Sequence, residues 1–249
     1  MLTNPTVEKL REMRMYGMLH AYIEQEQIDI ADLSFDERFA LLVDREMTER
    51  ESRRLKTRLR KAKLKQAAAM EDIDYKQPRG LNKSLLLKLA DCQWIKEHHN
   101  ILIVGPTGTG KTYLACALAH KACLQGFTSH YARTPRLMPE LVIARGDGSF
   151  SKQLANLAKT DLLVLDDWGL ITLAAEHRRD LLEILDDRHG QKSTIVTSQL
   201  PVKLWHETIN DSTLADAILD RLIHNAYRIE LKGESMRRVK SNLTIGGEK

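Results

Sequence analysis

Apolar residues follow two different periods along this chain. In the first third they stand at or near three and four positions apart: Val7, Leu10, Met13 and Met18, then Phe35, Phe39, Leu42 and Val43. That spacing gathers side chains on one face of a helix. Asn4 before Pro5 predicts a helix start, because proline at the first helical position gives up an N–H that has no partner there. Ser34 and Glu37 predict another as a capping box, the hydroxyl serving the Glu37 amide while the carboxylate reaches back. No glycine or proline interrupts residues 34–77, which predicts one long helix or two end to end. Gln77-Pro78-Arg79-Gly80 breaks that run and marks a hinge, after which Asn82 caps a short helix through Leu89. From Asn100 the period changes. Ile101–Val104, Leu162–Leu165 and Ser193–Ser198 are short apolar or β-branched runs, with weaker candidates at 127–132 and 227–231. Such runs fit strands buried on both faces of a parallel sheet. Helical segments between them, 113–123 and 214–223 among others, predict an α/β domain. The expected division is a helical N-terminal domain, residues 1–77, and an α/β domain, residues 78–249.

Composition narrows the class. Of 249 residues, 43% are hydrophobic and 29% charged, which excludes wholesale disorder. Aromatics at 5% disfavour an all-β fold. No apolar run approaches the roughly 18–20 residues of a membrane span, and the N-terminus lacks a secretory pattern. Cys92, Cys116 and Cys123 have no metal-ligand spacing and read as buried packing thiols. A reducing compartment, the cytoplasm, follows. Net charge is only +4, but residues 53–65 hold eight basic side chains and no acidic one, so the positive field is local.

Gly105-Pro106-Thr107-Gly108-Thr109-Gly110-Lys111-Thr112 fits G-x-x-x-x-G-K-[ST] at every position. It follows a predicted strand and opens a predicted helix, the context in which backbone amides and a helix N-terminus cradle phosphate oxygens. Lys111 is expected at the β- and γ-phosphates and Thr112 on Mg²⁺. Asp166 and Asp167 end the second strong strand: Asp166 is expected to hold the Mg²⁺ shell and Asp167 to polarise the attacking water. No Asn-Lys-x-Asp tetrapeptide follows, which favours ATP over GTP.

The phosphate loop, the phrase Leu165-Asp166-Asp167-Trp168-Gly169 and the segment Thr194–Leu200 stand in the order and spacing of AAA+ ATPases. More narrowly, the chain resembles the IstB-like transposition helpers of bacterial insertion sequences, kin of the DnaC helicase loaders, over essentially its whole length. The resemblance implies an AAA+ P-loop fold with a five-stranded parallel sheet flanked by helices, preceded by a small all-helical N-terminal domain. It implies ATP-driven homo-oligomers whose sites are completed by a neighbour. It places Ser198 and Gln199 on the sensor 1 strand end, beside the γ-phosphate or the lytic water. Arg221 of Asp220-Arg221-Leu222 becomes the arginine finger, or else a surface arginine on an amphipathic helix. Arg237, with Arg238 adjacent, becomes sensor 2.

The basic run has two readings, a solvated helix face or a nucleic-acid contact. Its single sign favours the second, through Arg53, Arg54, Lys56, Arg58, Arg60 and Lys61. Arg136 and Arg145, in the segment between the second and third strands, form another candidate. No aromatics interleave in either place, which points to phosphate contact with duplex DNA, largely independent of sequence, rather than to stacking on single strands. The expected function is therefore an ATP-dependent DNA-binding transposition helper, an ATPase that oligomerises on duplex DNA and assists or targets its cognate transposase. A DnaC-like helicase loader is the alternative within the same fold. A nucleotide-switched scaffold without turnover is the alternative outside enzymes.

Overall fold

The computed structural model describes residues 4–27 and 32–236. The chain forms two compact units, Met1–Thr57 and Arg58–Lys249.

In the first unit, α1 (Pro5–Glu12) and α2 (Tyr16–Gln27) precede α3 (Phe35–Ala62), whose last turn belongs to the second unit. Both expected starts are present. Asn4 Oδ1 accepts from the Thr6 amide at 3.0 Å, and Ser34 and Glu37 form the reciprocal capping box. Leu10, Met18 and Leu19 are buried together, with Leu42 and Val43 against them.

The predicted helix over 34–77 is corrected: α3 stops at Ala62, and no helix covers 63–77. Lys63 adopts φ +50° directly after the helix, a left-handed residue of the kind that ends helices. The following stretch then lays Ala68, Met70 and Ile73 into the core of the second unit. Those three stand two and three apart, a spacing that serves an extended chain lying on a surface. Their burial overrides the helical propensity of Leu64–Met70. The contact boundary at Thr57/Arg58 accordingly falls ahead of the Pro78 break.

The second unit continues with α4 (Lys83–Ala90) and α5 (Gln93–Lys96). It then alternates through β1 (Asn100–Val104), α6 (Lys111–Leu124), β2 (Ser129–Arg133), α7 (Thr134–Gly146), α8 (Phe150–Lys159) and β3 (Leu162–Trp168). It closes with α9 (Ala175–Arg188), β4 (Ser193–Ser198), a 3₁₀ turn (Val202–Leu204), α10 (Trp205–Ile209), α11 (Ser212–Ile223) and β5 (Ala226–Glu230). The five strands form one parallel sheet in the order β2-β3-β4-β1-β5.

The strand alternation sorts side chains to two cores. Ile101, Ile103, Val164 and Ile195 face α4–α6 and the 68–73 segment. Leu102, Val104, Leu163, Leu165 and Val196 face α7–α11. Cys92, Cys116 and Cys123 are free and buried, and burial pushes all three thiols up, Cys92 to about 11, so they are inert packing groups. Among the described residues, no helix is long and apolar enough to cross a membrane.

Candidate nucleotide site

The loop between β1 and α6 sits where a buried strand hands over to a helix N-terminus. Gly105 is obligatory: its φ is +150°, and a Cβ there would collide with the Leu231 carbonyl. Gly110 ends the loop as the N-cap of α6 at φ +98°. Lys111 folds back across the loop, its Nζ donating to the carbonyls of Gly105 and Pro106 at 2.7 and 2.8 Å. Thr109 Oγ1 donates to the Pro106 carbonyl at 2.8 Å. Met236 donates its amide to the Gly108 carbonyl at 2.9 Å, which brings the last described residue onto the loop.

Asp166 and Asp167 are neighbours on a strand, where side chains should point to opposite faces. A bulge resolves this. Leu165 pairs with Val196 and Trp168 with Ser198, so β3 carries one residue more than β4 between those pairs. Asp167 takes φ +62° within the bulge. Asp166 is fully buried. It accepts from Thr112 Oγ1 at 3.0 and 3.1 Å, and also from the hydroxyls of Tyr131 and Thr197. Burial, with Asp166 beside it, pushes the Tyr131 phenol up, which keeps it a donor. Lys65 Nζ lies 3.7 Å from the same carboxylate. Asp167 is held by Arg133, whose Nε and Nη2 approach Oδ2 at 2.8 and 2.7 Å.

A hydroxyl and an anionic carboxylate already in contact beside a phosphate loop form the oxygen donor set that a hard cation such as Mg²⁺ takes alongside phosphate oxygens and water. The residues therefore fit the ion. A cavity of about 710 Å³ spans the site, of a size for a nucleotide. It is lined by the loop, Arg133, Asp167 and Gln199, and also by Gln66, Asp74, Arg79 and Tyr113.

The expected site residues separate as follows. Gln199 lines the cavity and accepts from Thr107 Oγ1 at 2.7 Å. Ser198 touches the loop through its carbonyl, which accepts from the Gly105 amide, while its hydroxyl donates to Trp168 O and accepts from Leu200 N. Arg221 is elsewhere: it pairs with Asp186 at 2.6 Å and lines a separate cavity with Asn100 and Arg188. Arg237 and Arg238 lie outside the described residues.

The basic run also divides. Arg53 bonds the Glu49 carbonyl at 3.4 Å, lies 3.7 Å from Glu46 and covers the Tyr16 ring at 5.4 Å. Arg58 Nε donates to the Cys123 carbonyl at 2.9 Å, at the end of α6. Arg54, Lys56, Arg60 and Lys61 are exposed. Arg136 is exposed on α7, whereas Arg145 pairs with buried Asp180 and stacks 3.6 Å over Phe150.

Tyr131, Lys65 and Arg79 were not predicted for this site. For Tyr131 and Arg133 a signal existed: two polar-ended residues at i and i+2 on a strand whose neighbour carries the aspartates, with Arg133 in register with Asp166.

Residues 8–244 match the family described as IstB-like ATP binding protein. A Sinorhizobium fredii protein named as an insertion sequence ATP-binding protein is 51% identical over 239 residues, covering 96% of this chain and 98% of its own. A Pseudomonas fluorescens protein, also named as an insertion sequence ATP-binding protein, is 51% identical over 203 residues, 81% of this chain and 88% of its own. Among solved structures, the DnaC helicase loader aligns with a TM-score of 0.56 at 23% identity, over 66% of this chain and 97% of that one, a likeness of fold.

Proposed function

Because the chain belongs to the IstB-like ATP-binding protein family, an AAA+ group associated with insertion sequences, we propose that it is an ATPase that assembles on duplex DNA and assists the transposase of its element. The observation that carries the nucleotide chemistry is that Lys111, Thr112 and Asp167 line one nucleotide-sized cavity, with buried Asp166 bonded to Thr112.

The loop amides and the α6 N-terminus bind the phosphates. Lys111 exchanges its two loop carbonyls for phosphate oxygens, a charge-assisted contact of the stronger class. Mg²⁺, held by Thr112 with Asp166 behind it, would neutralise charge on the β- and γ-phosphates. Asp167 accepts the proton of the attacking water once it is free of Arg133. Gln199, joined to Thr107, orients that water or the γ-phosphate. The exposed Arg54, Lys56, Arg60, Lys61 and Arg136 supply phosphate contacts to duplex DNA.

Asp167→Asn tests the reading. ATP binding should persist while hydrolysis falls by about 10²-fold or more, the usual worth of a positioned base. Hydrolysis at the parental rate would remove Asp167 from this role. Co-purification with the transposase, rather than with a replicative helicase, is expected for the partner; capture of the helicase instead would favour the loader reading.

A further inference from the structure

Buried arginines in this unit are satisfied in different ways. Arg188, 1% exposed, donates to the carbonyls of Leu157, Thr160 and Ser193 and to the Thr194 hydroxyl, so every nitrogen has an acceptor. Arg79 is also buried, 5% exposed, but is short of partners. Nη1 donates to the Thr109 carbonyl at 3.1 Å and Nη2 to the Asp74 carbonyl at 2.9 Å. Nε has no acceptor, and among the described residues no carboxylate lies within ion-pair distance of it. The Asp74 carboxylate accepts from the Lys76 amide at 2.8 Å through Oδ1. Its two bonds go to neutral carbonyls, and burial pushes the guanidinium down from its ordinary value although the Asp74 carboxylate nearby acts the other way. The cost of that burial is met when an anion arrives.

Arg79 lines the nucleotide cavity. It is wedged against the last glycine of the phosphate loop: a Cβ on Gly110 would lie 2.6 Å from Nη1. Its surroundings are Asp74, Tyr75, Tyr113 and Thr109, and it shares none of them with Asp166, Asp167 or Gln199 at the hydrolytic end. We propose that Arg79 binds the α- and β-phosphates of the nucleotide, a cation that the loop motif itself does not encode. The proposal rests on the reading of the loop as a nucleotide site. It also accounts for the path of the segment after α3, since residues 63–82 carry a phosphate ligand into the pocket.

Calorimetric titration of the full-length protein with ADP and with ATP tests this. Arg79→Gln, which retains hydrogen bonding without the charge, and Arg79→Met should each lose about 10- to 100-fold in affinity, equally for ADP and ATP. Arg79→Lys keeps the charge and loses the fork, so it should lose only about 3- to 10-fold. A Gln variant that binds ADP as well as the Lys variant would overturn the proposal, since charge would then be irrelevant. A loss confined to ATP would overturn the α,β assignment. A merely structural role would lower the melting temperature of the nucleotide-free protein and leave the ADP-induced increment unchanged, and that result also overturns it. Should the Gln and Met variants not fold, the Lys variant decides, parental affinity counting against the proposal. A parental protein that binds neither nucleotide would instead sink the underlying reading of the loop.

Discussion

Burying a carboxylate is expensive, and Asp166 and Glu46 meet that cost with different partners. Asp166 takes three hydroxyls, from Thr112, Tyr131 and Thr197, with the Lys65 ammonium 3.7 Å from the carboxylate. Three neutral donors and one cation that is 38% exposed leave the group fit to organise a cation shell. Glu46, 5% exposed on α3, serves structure. Its Oε2 accepts from the amides of Gly17 and Met18 at 2.7 and 3.2 Å, capping α2, and Arg50 Nε meets Oε1 at 2.6 Å. Gly17 permits the approach, since a Cβ there would lie 2.5 Å from the Glu46 Cα. Burial acts to raise the Glu46 pKa, but Arg50 and the two amides outweigh it and hold the carboxyl below its ordinary value. A lowered folded value means that the stabilisation is present above the unfolded carboxylate value and is lost as pH falls through the folded one. Amide hydrogen exchange at Gly17 and Met18, taken relative to the unstructured rate at each pH, should therefore accelerate as pH falls below the ordinary carboxylate range. In Glu46→Ala it should be fast already at neutral pH, with local opening easier by about 1.5–3 kcal/mol, the worth of hydrogen bonds to a charged group. Unchanged protection in that variant would show that the cap contributes nothing.

At the scale of elements, what could be read in advance was what is local in sequence. Strand β4 matches its expected run at both ends, and the caps of α1, α3 and α4 fall on the expected residues. The phosphate loop is contiguous, so its chemistry was visible from eight letters. The α3 terminus was not, because Ala68, Met70 and Ile73 beyond it are buried in a core built from residues far downstream. Tyr131 and Arg79 escaped for the same reason: their partners lie 35 and 30 positions away. The sequence also could not separate the arginines of the basic run by role. Arg53 is held by an acceptor one turn away and Arg58 by one 65 positions downstream, whereas Arg54, Lys56, Arg60 and Lys61 are exposed. Two double variants, Arg54/Lys56→Gln and Arg60/Lys61→Gln, should fold and bind ATP normally, since glutamine is nearly as good a helix former. Each should weaken duplex DNA for all sequences alike. Each should also make the slope of log affinity against log salt shallower by up to about two units, close to 0.9 per contact. If neither slope moves, α3 is a solvated face and the DNA contact shifts to the neighbourhood of Arg136. Arg58→Ala is a control of opposite kind: it removes a bond at the end of α6 and should act on stability.

For the whole molecule, the parallel sheet sets two ends apart, and Arg221 stands at the wrong one for its own nucleotide. Its carbonyl accepts from the Asn100 side chain at 3.0 Å, beside the first residue of β1, whereas the phosphate loop follows the last. Five residues at about 3.3 Å each separate those ends by more than 10 Å. The guanidinium is paired with Asp186, which is 60% exposed and so able to release it. If Arg221 stabilises transition-state charge, it does so on a neighbouring copy, and each copy then has a loop at one end and a finger at the other. Such a head-to-tail contact closes a ring or extends a filament. Complementation checks this directly. Lys111→Ala removes the loop lysine and keeps the finger, while Arg221→Ala does the reverse, so each protein alone should be nearly inactive. Mixed at equal concentration, about a quarter of random interfaces pair an intact loop with an intact finger. ATP hydrolysis should return to roughly that fraction of the parental rate, because an arginine finger is worth orders of magnitude. Mixtures that co-assemble, as shown by sedimentation, yet hydrolyse no faster than the two variants apart would place the γ-phosphate contact on a residue other than Arg221.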